Sequence, residues 1–233
     1  CETGLDVSVK GGKPPAGSLR QSLAQIAEQH HLARLSWDED VVALRETPYQ
    51  NFDETRVVPP PGAFLQATKH GESALLKAVQ EATHGASRLV DLFAGCGTFS
   101  LPLARNSEVL AVEGDAEMVH ALDQGWRRAN GLKQVTSQAR DLFRRPLMSD
   151  ELAPFDAVVL DPPRAGAEAQ VAEIAASDVP RIAYVSCNPI SFARDAKHLI
   201  NAGFQLDWIQ VVDQFRWSAH IELVACFSVN NRE

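Results

Sequence analysis

The run Val90-Asp91-Leu92-Phe93-Ala94-Gly95-Cys96-Gly97-Thr98-Phe99 decides the fold. It joins a short apolar stretch, 88–93, to a segment with helical spacing, 98–105. Two glycines at the junction let the backbone turn sharply and approach a ligand beside a helix N-terminus. The next apolar run, 109–113, ends on Glu113, roughly 20 residues after the loop's acid, where a carboxylate can hold ribose hydroxyls. A dinucleotide fingerprint needs a third glycine. Ser100 stands in that place, which disfavours a nicotinamide-dependent oxidoreductase. An acid before the loop and none of the third-glycine geometry fit a nucleoside carrying a sulfonium amino acid better than a pyrophosphate. The bland alternative is a tight strand–helix turn with glycines for geometry alone, and Glu113 at the next strand end weighs against it.

Outward from this loop the pattern repeats. Helical spacing predicts helices over 71–83, 98–105, 116–130, 167–176 and 191–202, and apolar runs predict strands over 88–93, 109–113, 134–139, 155–160 and 181–186. Runs 204–212 and 220–229 have no helical stretch between them and predict a closing antiparallel pair. Strands alternating with helices of this length imply βαβ units. The expected fold is therefore α/β: Rossmann-like, a mostly parallel seven-stranded sheet with a C-terminal antiparallel pair. Residues 1–60 read as a separate small α/β subdomain and 61–233 as the main domain. The small unit has a strand over 5–10, a helix opened by a capping box with Ser18 as N-cap and Gln21 at its third position, and strands over 33–37 and 41–46 about the turn Asp38-Glu39-Asp40. Pro59-Pro60-Pro61-Gly62 stops both element types.

Composition bounds the rest. The chain has 233 residues, 45% hydrophobic and 22% charged, enough for one large domain or a domain and a half with a full core. No apolar run approaches membrane-spanning length, and no secretory signal is visible. Thirty acidic against 22 basic residues leave a net charge of −8. A dedicated electrostatic nucleic-acid binder is usually basic, so any RNA contact must be local or supplied by another segment. Cys1, Cys96, Cys187 and Cys226 form no C-x-x-C pair, which argues against zinc and iron–sulfur sites and for reduced thiols in a cytosolic protein. Cys1 stands where an initiator Met belongs, so a fragment or processed form with an upstream domain is expected.

Two further motifs follow predicted strands. Asp161-Pro162-Pro163-Arg164 stiffens the backbone and holds Asp161 at the carboxyl edge of the sheet. Ser186-Cys187-Asn188-Pro189 places a thiol at the same edge just before a helix, whose N-terminus can lower a thiol pKa. Alone, each motif has an ordinary reading as a capped loop or an inert cysteine. Cys96 and Cys226 are given packing roles. Arg127-Arg128 and Arg144-Arg145 read as solvated helix ends, whereas Arg164 and Arg216 lie near the predicted edge and suit phosphate contacts. Phe215 and Trp217 are candidate stacking partners for a flipped base, or core.

Together the motifs Asp91-Leu-Phe-Ala-Gly-Cys-Gly97, Asp161-Pro-Pro-Arg164, Ser186-Cys-Asn-Pro189, His220-Ile-Glu222 and Phe64-Leu-Gln66 resemble the S-adenosylmethionine-dependent RNA 5-methyluridine methyltransferases, over roughly 61–227. Residues 1–60 resemble the end of that family's central domain. The resemblance implies that Gln66, Phe93, Gly95, Gly97, Thr98, Glu113, Asp141 and Asp161 bind S-adenosylmethionine. Thr98 stands where some relatives carry Asn. Cys187 would be the nucleophile and Glu222 the base, with no metal. The partner would be ribosomal or transfer RNA, and the protein a cytoplasmic monomer. The family's N-terminal RNA-binding domain and four-cysteine iron–sulfur site have no counterpart in this sequence.

The implied chemistry suits these residue types. Carbon 5 of uracil is a poor nucleophile, and a thiolate adding to carbon 6 makes it carbanion-like. A strongly nucleophilic cysteine serves that step, and a carboxylate such as Glu222 then removes the carbon-5 proton. From its strand alone Glu222 reads rather as a surface-face residue of an edge strand, and only the resemblance favours the base. Competing readings are a cytosine-5 enzyme, which lacks its second cysteine here, an amino-group methyltransferase, for which Arg164 replaces the usual aromatic, and a non-catalytic cofactor-binding RNA module.

Overall fold

The computed structural model describes residues 1–38 and 40–229. The small N-terminal unit contains β1 (Asp6–Val9), α1 (Ser18–Gln29), β2 (Arg34–Trp37) and β3 (Asp40–Leu44). β1 pairs with β2 in parallel, β2 with β3 antiparallel, and α1 covers them with Leu23 and Ala27. Arg34 is buried and binds both carboxylate oxygens of Asp6, while its Nη2 also donates to the Pro59 carbonyl at 2.9 Å. The expected capping box is absent. Gly17 takes the N-cap position with φ 50 and Ser18 is already helical, because a glycine reaches that left-handed backbone without a Cβ penalty. The turn expected at 38–40 includes Glu39, which lies outside the described residues.

A hairpin follows that the hydrophobic pattern did not predict: β4 (Gln50–Phe52) and β5 (Thr55–Val57). Each strand has three residues, too few for periodicity to register. The main domain then runs α2 (Lys69–Ala82), β6 (Arg88–Leu92), α3 (Ser100–Leu103), β7 (Glu108–Glu113), α4 (Ala116–Arg128), β8 (Val135–Ala139), α5 (Ser149–Leu152), β9 (Ala157–Leu160), α6 (Glu168–Ala175), β10 (Arg181–Ser186), α7 (Pro189–Asn201), β11 (Phe204–Val212) and β12 (Glu222–Val229). The sheet order is β11-β12-β10-β9-β6-β7-β8. All neighbours are parallel except β12, which runs antiparallel to both β10 and β11. The expected seven-stranded, mostly parallel sheet with a closing antiparallel pair is thus the observed one. The helix expected over 98–105 shrinks to one turn, since the glycine loop occupies the chain to Phe99 and residues 104–107 already turn back into β7. The four-residue α5 was not foreseen.

Side chains alternate across the sheet with the strand period of two. Val90 and Leu92 of β6, with Val158 and Leu160 of β9, face the core under α6 and α7. Leu89 of β6, with Ala157 and Val159 of β9, faces the core under α2, α3 and α4. Both faces are covered, as parallel sheets require. The hairpin is not part of the small N-terminal sheet. Phe52 and Val57 pack with Cys96, Leu101 and Ala121, so β5 lies on α4.

That docking explains Gly125 in the middle of α4. A Cβ there would lie 2.6 Å from Val57 Cγ2. Replacing a helical glycine by alanine ordinarily stabilises by about 1 kcal/mol. Here Gly125→Ala should instead lower the thermal midpoint, at the roughly 1–3 kcal/mol typical of overpacking, and Val57→Ala in the same chain should recover part of the loss in a double-mutant cycle.

Candidate active site

Register brings the chemistry-bearing residues to one edge. Leu92 pairs with Leu160 and with Val112, and Leu160 pairs with Tyr184. The residues that follow, Phe93, Asp161, Glu113 and, slightly further on, Cys187, therefore leave the sheet side by side. β12 runs the other way, so its first residue, Glu222, arrives at the same edge beside Ser186, which pairs with Leu223.

A cavity of about 380 Å³ opens there, within the size range of small-ligand sites. It is lined by Gln66, Phe93, Gly95, Thr98, Glu113, Asp141, Asp161, Cys187 and Glu222. The remaining candidate, Gly97, is not among the lining residues. Its φ is 102, and a Cβ would stand 2.8 Å from Leu101 Cδ1 and 3.1 Å from Leu122 Cγ. Gly97 lets α3 pack against α4, whereas Gly95, with φ 56, faces the cavity opposite Met118.

Each acid is held by its surroundings. Glu113 accepts from Gly95 N at 2.9 Å and from Asp115 N at 3.0 Å, so it braces the glycine loop while keeping lone pairs free. Asp141 accepts from Phe143 N at 3.0 Å and Arg144 N at 3.3 Å. Asp91, fully buried beneath the loop, accepts from Ser100 Oγ at 2.5 Å, and its Oδ1 has no partner. Burial pushes its carboxyl up to about 7, partly offset by Ser100 and reinforced by Glu113. Burial also raises Asp161 to about 8, with Glu222, Asp91 and Glu113 adding repulsion. Phe93 stores backbone strain at the same place, with φ 64, a conformation that bulky side chains adopt rarely. Its ring meets Phe143 at 5.4 Å.

The loop between β9 and α6 is fixed from behind. Asp195 of α7 is buried and accepts from Tyr184 Oη at 2.7 Å and from Ala167 N at 2.9 Å. Gly166, φ 79, leaves no room for a Cβ against Asp195 and Arg194. Asn188 caps α7 by accepting from Ile190 N at 3.1 Å and donates to the Arg164 carbonyl at 2.8 Å.

The thiol does not behave as its helix suggested. Cys187 is half-buried, and its pKa is raised: desolvation is the largest cause, followed by Glu222 and Asp161, while Arg164 and a backbone hydrogen bond pull it down. Desolvation, reinforced by two nearby carboxylates, outweighs Arg164 and the backbone hydrogen bond. Glu222 is 5% exposed and is covered by β11, which excludes its reading as a surface residue. Burial raises its carboxyl and Arg164 lowers it. Cys96 and Cys226 are buried, in their expected packing roles. Trp217 is 93% exposed, so it is not core, and Phe215 is half-buried.

The family model described as tRNA (uracil-5-)-methyltransferase matches residues 42–228. The chain belongs to this family. An uncharacterized RNA methyltransferase of Rhizobium meliloti is 48% identical over 96% of this chain and 54% of its own length. The 23S rRNA (uracil(1939)-C(5))-methyltransferase RlmD of Shewanella amazonensis is 33% identical over 98% of this chain and 53% of its own. The chain spans about half the length of the curated relatives it matches. In the solved structures, the Pyrococcus abyssi tRNA (uracil-54, C5)-methyltransferase, crystallised with S-adenosyl-L-homocysteine, superposes with a TM-score of 0.71 at 24% identity, over 94% of this chain and 55% of that one. The likeness shows a shared fold, the Rossmann-like methyltransferase architecture.

In this member of the uracil-5 methyltransferase family, Phe143 and Met118 also line the cavity, though no motif marked them. Phe143 follows Asp141 by two residues, and its exposure (50%) is a signal that sequence alone does not carry.

The raised acids predict a pH dependence. In the unfolded chain an aspartate titrates near 3.9. Folded Asp91 and Asp161 keep their protons to about 7 and about 8. The stability they contribute is therefore complete below about pH 4 and is lost as pH rises toward 8. The ligand-free protein should melt at a higher temperature at pH 5.5 than at pH 8. Asp161→Asn should flatten that difference, gaining about 2–4 °C at pH 8 per kcal/mol relieved. An unchanged difference in calorimetry would show that Asp161 is not held protonated.

Proposed function

We propose that this chain carries the catalytic part of an enzyme that transfers a methyl group from S-adenosylmethionine to carbon 5 of a uridine in RNA. The observation that carries the reading is the meeting of a thiol, Cys187, and a carboxylate, Glu222, from two different strands in the cavity that also holds the glycine loop and Glu113. The chain is a family member over most of its length, and a cavity rimmed by four carboxylates and open to base-sized aromatics matches a nucleoside with a cationic tail.

The donor set fits that ligand. Glu113 has free lone pairs for ribose hydroxyls, Gly95 presents backbone without a side chain, Phe93 and Phe143 offer faces to a purine, and Asp141 and Asp161 place carboxyl groups where the cationic tail would lie. Gln66 is tied to the segment after β11 by a hydrogen bond from Gln214 Nε2 to its Oε1 at 2.9 Å, which anchors Gln66 at the cavity. When bound, the cofactor supplies an electrophilic methyl group.

The residues of the chain do the remaining work. The Cys187 thiolate adds to carbon 6 of the uracil, forming the S–C6 bond while the C5–C6 π pair moves onto carbon 5 and oxygen 4. After methylation Glu222 removes the carbon-5 proton, the C5–C6 double bond reforms and the thiolate leaves. Burial raises the Glu222 carboxyl above its ordinary value, which makes its carboxylate a stronger base. Phe64, 72% exposed at the mouth, and Trp217, with the Arg216 guanidinium 5.8 Å from its ring centroid, are placed to meet unstacked bases.

RNA transcripts of 23S rRNA and tRNA containing 5-fluorouridine test the reading, because fluorine at carbon 5 cannot leave as a proton. With S-adenosylmethionine present, the wild-type chain should give a covalent complex on a denaturing gel. Cys187→Ala should abolish it. On ordinary RNA, Glu222→Gln should accumulate the adduct and release methylated product at least 10²-fold more slowly. A complex that survives Cys187→Ala, or normal turnover by Glu222→Gln, would overturn the assignment. The same gels show whether ribosomal or transfer RNA is taken.

A further inference from the structure

The Cys187 side chain sits in surroundings that oppose its charged form. Asp161 at the end of β9 and Glu222 on β12 line the same cavity, and the site is partly desolvated. The charged groups that act on it are these two acids and Arg164 on the β9–α6 loop, and His220, ahead of β12, reaches Arg164 rather than the thiol. A thiolate here needs a counter-ion, and Arg164 is the cation lining the cavity.

Arg164 is not a free surface arginine. Its carbonyl accepts from Asn188 Nδ2 at 2.8 Å and from Ser191 Oγ at 3.1 Å, which ties its backbone to the residue that follows Cys187. Its guanidinium Nη1 lies 3.1 Å from His220 Nδ1. A guanidinium has donors only, so in this contact Arg164 donates to the His220 Nδ1 lone pair. The imidazole is itself seated, edge-on to the Phe215 ring at 6.3 Å and with its backbone N–H donating to Ser218 Oγ at 3.2 Å. Among the described residues Arg164 makes no salt bridge with a carboxylate, so its charge is left for another partner in the cavity.

We infer that Arg164, seated against His220, is a positioning residue that serves as counter-ion to the Cys187 thiolate. The inference rests on the proposed role of Cys187 and extends it. The thiol proton leaves to water, and the resulting anion faces a guanidinium rather than two carboxylates alone. Arg164 pulls both Cys187 and Glu222 toward their charged forms, against the desolvation that raises both.

The test reads the thiol directly. Iodoacetamide alkylation of Cys187, followed by peptide mass spectrometry against pH in a Cys1→Ser background, gives the thiol midpoint without RNA. Arg164→Met should raise that midpoint by about one unit, a roughly tenfold lower alkylation rate near neutral pH. Arg164→Lys should restore most of it, and His220→Phe, which keeps an aromatic beside Phe215, should raise it in the same direction. His220→Phe also reads the pair if Arg164→Met loses its fold in a thermal melt. An unmoved midpoint in Arg164→Met with weakened RNA binding would make Arg164 a phosphate contact and overturn the inference, as would an equal shift in Arg164→Lys. The 5-fluorouridine complex, run in parallel on the wild type, separates the two levels. An arginine-dependent midpoint without any adduct leaves the ion pair standing and removes the uridine chemistry, whereas an adduct with no arginine dependence removes the ion pair alone.

Discussion

Every chemical feature of this protein depends on a property of parallel strands: they all deliver their C-terminal residues to the same edge. β6, β7, β9 and β10 are in register, so four loops that are far apart in sequence leave the sheet as neighbours. The single reversal in the sheet is also used. Because β12 is antiparallel, its beginning rather than its end reaches that edge, and Glu222 stands across from Cys187. A parallel β12 would have carried Glu222 to the far side of the sheet.

Electrostatics then concentrates at that edge. Four carboxylates, Asp91, Glu113, Asp161 and Glu222, crowd a desolvated region. Crowding of like charges in low dielectric is costly, and the structure moderates it with Ser100 on Asp91, backbone amides on Glu113 and Arg164 near Glu222. The strained backbone of Phe93 belongs to the same economy, since strain of this kind persists where surrounding structure over-determines it. The acidic cavity lies beneath an aromatic mouth, with Phe64 and Trp217 exposed and Arg164 the cation among its lining residues.

Legibility varied with length and with distance along the chain. The long helices α2, α4 and α7 and the buried strands β6, β9 and β10 were readable because each carries its own periodic pattern. The β4–β5 hairpin was not, since three-residue strands have no period to read, and its packing on α4 is a long-range fact. The two glycines of the loop looked equivalent in sequence. Only the fold separates Gly95, which faces the cavity, from Gly97, which spaces two helices. The Cys187 thiol was misjudged for the same reason. The helix that follows it is local, but the burial that desolvates it and the carboxylates of Asp161 and Glu222 arrive only with the tertiary fold.

The sequence by itself determined the alternation of strands and helices, the positions of the strand-end motifs and the residue types available for chemistry, because these follow from local backbone preference and periodic hydrophobicity. Only the tertiary structure decided which strand ends meet, which way β12 runs, and how the protonation of Asp91, Asp161, Cys187 and Glu222 is set. Those outcomes depend on through-space distance and on exclusion of water, and neither exists until the sheet has closed.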